Sequence, residues 1–205
     1  MNRFKNHPKV VYDAQIIVYY CFLYKQYKLT GRTTKSRDLT QFLANNGISI
    51  CVPSFIIDEI KHKTIPVIVN DYVEDKRKPI LEWPPKPSPG LVLKLTDKVR
   101  NNFENLQKKN YFNVVEYNPD ETAFDSIKSF FMNFNDKEKL NEFLDLKKTY
   151  ELSPSDEDMM LILFARDKQA PLISNDWDIT FFVEELINEN LAYEIVNFKD
   201  ISYPN

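Results

Sequence analysis

Ser153-Pro-Ser-Asp-Glu-Asp158, the apolar run Met159 to Ala165, and Ala170-Pro-Leu-Ile-Ser-Asn-Asp176 together decide the fold. Ser153 is suited to an N-cap and Pro154 to the first helical position. Met159 to Ala165 is apolar almost all round, so the helix is expected to be buried on more than one face. Pro171-Leu-Ile-Ser174 is short and apolar, as a central parallel strand is. Asp176 follows at once. In open α/β sheets ligands gather at the carboxyl ends of the strands, so an acid there is a site candidate.

Working outward, the same pattern recurs. Lys9-Val-Val-Tyr-Asp13 is a strand ending in an acid, and Ile16 to Leu23 continues as an apolar helix. Asp38 to Asn46 reads as a helix stopped by Asn46-Gly47. Ile48 to Val52 is a second strand, with Ser54 as cap of the next helix. Leu91, Leu95, Val99, Phe103 and Leu106 recur at helical spacing over 91–109. Phe112 to Tyr117 is a strand. Asn118-Pro119 opens a helix to about Phe134, a second runs from Asp136 to Tyr150, and Ile179 to Asn188 is helical. Ala192 to Val196 is the last strand. Alternating strands and helices predict an α/β fold: a central parallel sheet in a three-layer α/β/α arrangement. Pro79 to Gly90 holds five prolines and Trp83, and reads as an extended connection.

The 205 residues are enough for one domain with a full core. A composition of 43% hydrophobic and 28% charged residues argues against disorder. No apolar run reaches the ~18 residues of a membrane span, and no signal-peptide pattern opens the chain. A cytoplasmic protein, with no membrane partner, is expected. Cys21 and Cys51 lack Cys-x-x-Cys spacing and read as reduced and buried. His62 reads as surface, and His7 as part of a mobile tail, so no structural zinc site is expected. Residues 1–37 carry eight Lys/Arg and one acid, Asp13, in a chain of net charge −3. Lys25, Lys28 and Arg32, interleaved with Tyr24 and Tyr27, are therefore candidates for nucleic-acid contacts.

Four acids stand out by position: Asp13, Glu59, Asp158 and Asp176. Taken singly, each has an ordinary reading as a cap or a surface charge. As a set at one edge of a parallel sheet they cannot all stay ionised cheaply without a cation. Mg²⁺ or Mn²⁺ suits an all-oxygen set and supports phosphodiester hydrolysis.

These motifs resemble the PIN-domain family, the small metal-dependent ribonucleases that include VapC-type toxins. Val10-Val-Tyr-Asp13-Ala-Gln15 is similar to the family's first motif, with Gln15 where Asn or Ser is usual. Ser54 to Ile60, with Glu59, resembles the second. Asp158 and its apolar helix resemble the third, and Ala170 to Asp176, with Ser174 two residues before the acid, the fourth. The resemblance implies a single PIN-like domain over 1–205, with an atypical Pro-rich and helical insertion at about 70–110. It implies an endoribonuclease in which Asp13, Glu59, Asp158 and Asp176 are both catalytic and metal-binding. Gln15, Ser174 and Asp178 would support them, Mg²⁺ or Mn²⁺ would be the cofactor, and RNA the substrate. An antitoxin protein and an oligomer are partners it leaves open. The competing reading is a non-catalytic PIN-like module that binds RNA or protein.

Asp156 and Asp158 lie two residues apart and so point about 200° apart on a helix, by its ~100° step. With Ser153 as cap, Asp156 falls at the capping-box position and Asp158 beyond the reach of capping. On that register Asp156 serves stability and Asp158 serves metal.

Overall fold

The computed structural model describes residues 1–22, 32–74, 89–147 and 154–202. Its centre is a five-stranded sheet of β1 (Lys9–Tyr12), β2 (Ser49–Pro53), β3 (Phe112–Val115), β4 (Leu172–Ser174) and β5 (Ile195–Asn197). The order is β3-β2-β1-β4-β5 and all pairings are parallel. The central strands are short runs of apolar residues because both sheet faces are covered. Val10, Val11, Ile50, Val52, Leu172 and Ile173 are all fully buried.

The chain goes from β1 outward to β2 and β3, then returns past β1 to form β4 and β5. The direction of travel therefore reverses between β1 and β4. A right-handed crossover rule places helices of the two halves on opposite faces, and the helix contacts follow that division. In the first half, α1 (Ala14–Cys21) packs on α2 (Arg32–Asn45) and on α5 (Pro89–Gln107). Here α3 (Ser54–Glu59), a π-helical turn (Ile60–Thr64) and α4 (Ile65–Glu74) run on continuously, and α4 meets α5. In the second half, α6 (Glu121–Asn133) packs on α8 (Asp156–Asp167), and α8 on α9 (Trp177–Thr180). Two further helices, α7 (Lys137–Lys147) and α10 (Val183–Asn188), complete the second half. The result is a three-layer α/β/α fold.

The predicted apolar stripe of α5 is real: Leu95, Val99, Phe103 and Leu106 are buried. Each such side chain contributes about 1.5–3 kcal/mol on full burial, which ties α5 to the body of the fold. Met159 and Leu161 to Ala165 are buried on every side of α8, as their all-round apolarity predicts. Gly47 ends α2 at φ +69, and a Cβ there would meet nothing, so the demand is purely conformational. Cys21 and Cys51 are free and buried, and His62 is exposed.

The helix starts differ from the sequence reading in a consistent way. Asp120, not Asn118, caps α6, accepting from the Thr122 and Ala123 amides at 3.0 and 3.2 Å. Ser155, not Ser153, caps α8. Pro119 and Pro154 each sit one residue before the cap rather than one after it. The short polar side chain that follows each proline is the one that reaches the free amides. Likewise Pro53 occupies the cap position of α3, and Ser54 instead donates to Glu116 Oε2 at 2.8 Å. The expected single helix over 179–188 is two, α9 and α10. The last strand is shorter than predicted, starting three residues later and ending one residue later. His7 is not in a loose tail. It follows a 3-10 turn (Asn2–Asn6) anchored by buried Phe4, and its Nε2 lies 3.4 Å from Glu194. Pro89 and Gly90 open α5 instead of belonging to the proline-rich connection, whose residues 79–88 lie outside the described residues. No helix among the described residues is long and apolar enough to cross a membrane.

Candidate active site

Asp13 follows β1 and stands in the cap position of α1, with extended backbone (φ −69, ψ 152). Its carboxylate does not cap that helix. It turns instead across to β4, where Oδ2 accepts a 2.6 Å hydrogen bond from Ser174 Oγ. Only 6% of Asp13 is exposed. A carboxylate so placed gives up both water and the helix amides beside it. It lies where the sheet changes direction, the crevice that binds ligands in open α/β folds.

Ser174 connects the two strands. Its hydroxyl donates to Asp13 and accepts from the Asp176 amide at 2.9 Å. Asp176 caps α9, its Oδ1 accepting from the Asp178 amide at 2.9 Å. Its Oδ2 accepts from Gln15 Nε2 at 3.4 Å. Behind Gln15, Tyr19 OH donates to Gln15 Oε1 at 3.3 Å, and Arg32 Nη1 donates to Tyr19 OH at 3.2 Å. Gln15 and Tyr19 are one turn apart on α1, which puts them on one face. Gln15, Ser174 and the Asp178 amide thus each bond to Asp13 or Asp176. Arg32 reaches this site through Tyr19, a contact that sequence reasoning missed. Lys25 and Lys28 lie outside the described residues.

Asp158 overturns the register expected for α8. It is the third helical residue, and its Oδ2 accepts from the Ser155 amide (3.1 Å) and hydroxyl (2.8 Å), while its own amide donates to Ser155 Oγ (3.1 Å). Ser155 and Asp158 therefore form the capping box. Asp156 is the first helical residue, exposed, and paired with Lys128 at 3.2 Å. Asp158 is thus a cap partner, and it also lies in the field of Asp176 and Glu59. Glu59, at the end of α3, accepts from Thr64 Oγ1 at 3.3 Å across the π-helical turn. The wider turn brings Thr64 round to Glu59, a partner that the strand-and-helix pattern could not reveal.

The acids share one field. Burial, and then the charges of Asp158, Asp176 and Glu59, push the Asp13 carboxyl up to about 7, against the opposing Ser174 bond. Burial pushes Asp158 up to about 6, with Asp176 and Glu59 adding and Ser155 opposing. Burial also raises Glu59, while Lys63 and Thr64 hold it down. Among the described residues, no Lys or Arg forms an ion pair with Asp13, Asp158 or Asp176. Their side chains as placed do not close into a metal-ligand set of three or more among the described residues. The donor chemistry nonetheless fits a hard divalent ion, because Mg²⁺ keeps several waters and takes only one or two carboxylates directly.

The chain matches no protein-family model and no curated protein sequence.

Proposed function

We propose that this protein is a metal-dependent endoribonuclease of the PIN type. The observation that carries the proposal is Asp13. It is a buried acid at the turning point of the sheet, diverted from the helix it could cap, in the field of three further carboxylates. The bond to Ser174 does not by itself call for a carboxylate, and acids that share one field are costly without a cation. Mg²⁺ or Mn²⁺ would be held by Asp13, Asp158, Asp176 and Glu59. When bound, such an ion supplies an acidic water and neutralises charge on a phosphodiester.

The chain's own residues do the positioning. Ser174 fixes Asp13 against Asp176, and Gln15 with the Asp178 amide orients the two Asp176 oxygens. Ser155 holds one Asp158 oxygen and leaves the other open. Thr64 orients Glu59. Burial of Asp13 keeps water from screening the group that must attract the cation. RNA is the proposed substrate, and an antitoxin protein is a partner that such a nuclease would admit.

The test is incubation of labelled RNA with the protein, with and without Mn²⁺, beside Asp13→Asn. Metal-dependent cutting by the parent and none by the variant is expected. Equal behaviour of the two proteins, with RNA bound but intact, would favour the non-catalytic binding module.

A further inference from the structure

We infer that Trp177 is the stacking platform for an unpaired nucleobase next to the scissile phosphate. This rests on the proposed phosphodiester site and names how it selects its substrate. Trp177 follows Asp176 directly, so their Cα atoms lie about 3.8 Å apart across a trans peptide. The Asp176 amide is tied to Ser174, which fixes where the next residue begins. Trp177 is 37% exposed. Single exposed apolar residues are common and need no explanation. This one differs by its place beside the acids and by what lies behind it.

Behind it is a cluster of rings packed in tilted and edge-to-face contacts. Trp177 lies 5.0 Å from Phe181, and Phe181 lies 5.2 Å from Phe143. Phe143 meets Phe182 at 4.9 Å, and Phe182 meets Phe134 at 5.0 Å. Phe143 and Phe182 are wholly buried. Trp177 is thus the outer end of a packed aromatic cluster, held by its neighbours and open to water on the remaining surface. Ordering such a ring costs little on binding, because its inner contacts already fix it.

Charge points to the same occupant. The site is acidic and the chain's net charge is −3. Electrostatic attraction to a phosphate backbone is therefore weak before a cation arrives. Base stacking does not depend on charge and tolerates any base. A strand whose phosphate meets the carboxylates carries a base to Trp177, and a base locked in a duplex cannot offer its face.

The chain holds two tryptophans, and replacing Trp83 with Phe leaves Trp177 as the only indole fluorophore. The experiment uses this variant with Asp13→Asn, so that bound RNA stays intact, in Mn²⁺ and in EDTA. A single-stranded oligoribonucleotide should quench Trp177 fluorescence, and the same sequence as a duplex should not. Adding Trp177→Leu, which keeps apolar contact with Phe181, should weaken binding about 5- to 150-fold, the range for one stacked base. Trp177→Phe should weaken it less. Unchanged affinity in Trp177→Leu overturns the inference, as does saturating RNA without quenching or a failure to bind RNA at all. The two readings fail separately. Quenching by RNA that the parent never cuts would sink the nuclease and keep the platform. Cutting by Trp177→Leu, with Asp13 intact and KM unchanged, would sink the platform and keep the nuclease.

Discussion

Asp13 at the end of β1 and Asp158 at the start of α8 are both acids at the amino end of a helix, but only one does a helix's work. Asp158 closes a capping box with Ser155. Asp13 occupies a cap position and leaves it unused, reaching across the sheet to Ser174. Asp158 has a structural reason to exist and Asp13 has none within its own helix. The contrast separates the price of the site from the stability of the fold. Replacing Asp13 with Asn relieves repulsion and burial cost with little structural loss, because the amide oxygen can still accept from Ser174. Removing Asp158 relieves similar repulsion but gives up a cap.

The largest effect should come from Asp13→Asn. Metal-dependent cleavage should vanish, while the metal-free variant melts higher than the parent at pH 8. Each kcal/mol of relief corresponds to about 2–4 °C in a chain of this size. The pH dependence follows from the same group. Native Asp13 keeps its proton up to about pH 7, whereas the unfolded chain releases it near 3.8. Between those values the native state binds more protons, so raising the pH favours unfolding. This contribution to stability is full below about pH 4 and gone above about pH 7. Melting temperatures of the metal-free protein from pH 4 to 8 should therefore fall, with a flatter slope in Asp13→Asn. Millimolar Mn²⁺ should restore stability at the alkaline end by mass action. A parent and variant with parallel melting profiles would remove Asp13 from the site's electrostatics.

Next comes Asp158→Ala. Cleavage should again be lost, but the metal-free melting temperature should move less than in Asp13→Asn. Loss of the Ser155 contacts costs about 1 kcal/mol, and relief of repulsion with Asp176 and Glu59 offsets it. A variant as stabilised as Asp13→Asn would mean the capping box contributes nothing.

Ser155→Ala isolates the cap. It should cost about 1 kcal/mol in urea denaturation, and keep cleavage measurable because every proposed ligand remains. Ser155 also holds the Asp158 carboxyl down. Its removal should raise that group, so Mn²⁺ binding by calorimetry should weaken more at pH 6 than at pH 8. Equal loss at both pH values would show that Ser155 does not govern Asp158.

The strands and their acids were legible because each rule involved is local. A short apolar run ending in Asp marks β1 and β4, and the buried run Met159 to Ala165 marks α8. The partners were not legible where they depend on tertiary approach. Ser174 meets Asp13 across 161 positions, and Arg32 reaches Gln15 only through Tyr19. Thr64 reaches Glu59 through a π-helical turn that no periodicity announces. The cap of α8 was misplaced for a different reason. Ser153 and Ser155 flank one proline, and either serine satisfies the sequence rule. Geometry decides for Ser155, because its side chain reaches the Asp158 amide.

The smallest effect should be that of Asp156→Ala, and its smallness is informative. With Ser155 as cap, Asp156 is the first helical residue and points to solvent, its side chain 60% exposed against Lys128 at 3.2 Å. Exposed pairs of this kind contribute about 0–1 kcal/mol, reduced further by salt. A carboxylate in the first turn adds a few tenths through the helix dipole, about 0.3–1 kcal/mol at low ionic strength. Asp156→Ala should therefore lower stability by less than Ser155→Ala does, and its effect should shrink further in 0.5 M NaCl, which widens the gap between the two variants. Cleavage should be unchanged, because Asp156 makes no contact with Asp13, Asp176 or Glu59 among its described bonds. The alternative register, with Ser153 as cap, puts Asp156 in the capping box and predicts the reverse order of stabilities. Asp156→Ala costing more than Ser155→Ala, at high salt as at low, would restore that register and take Asp158 out of the cap.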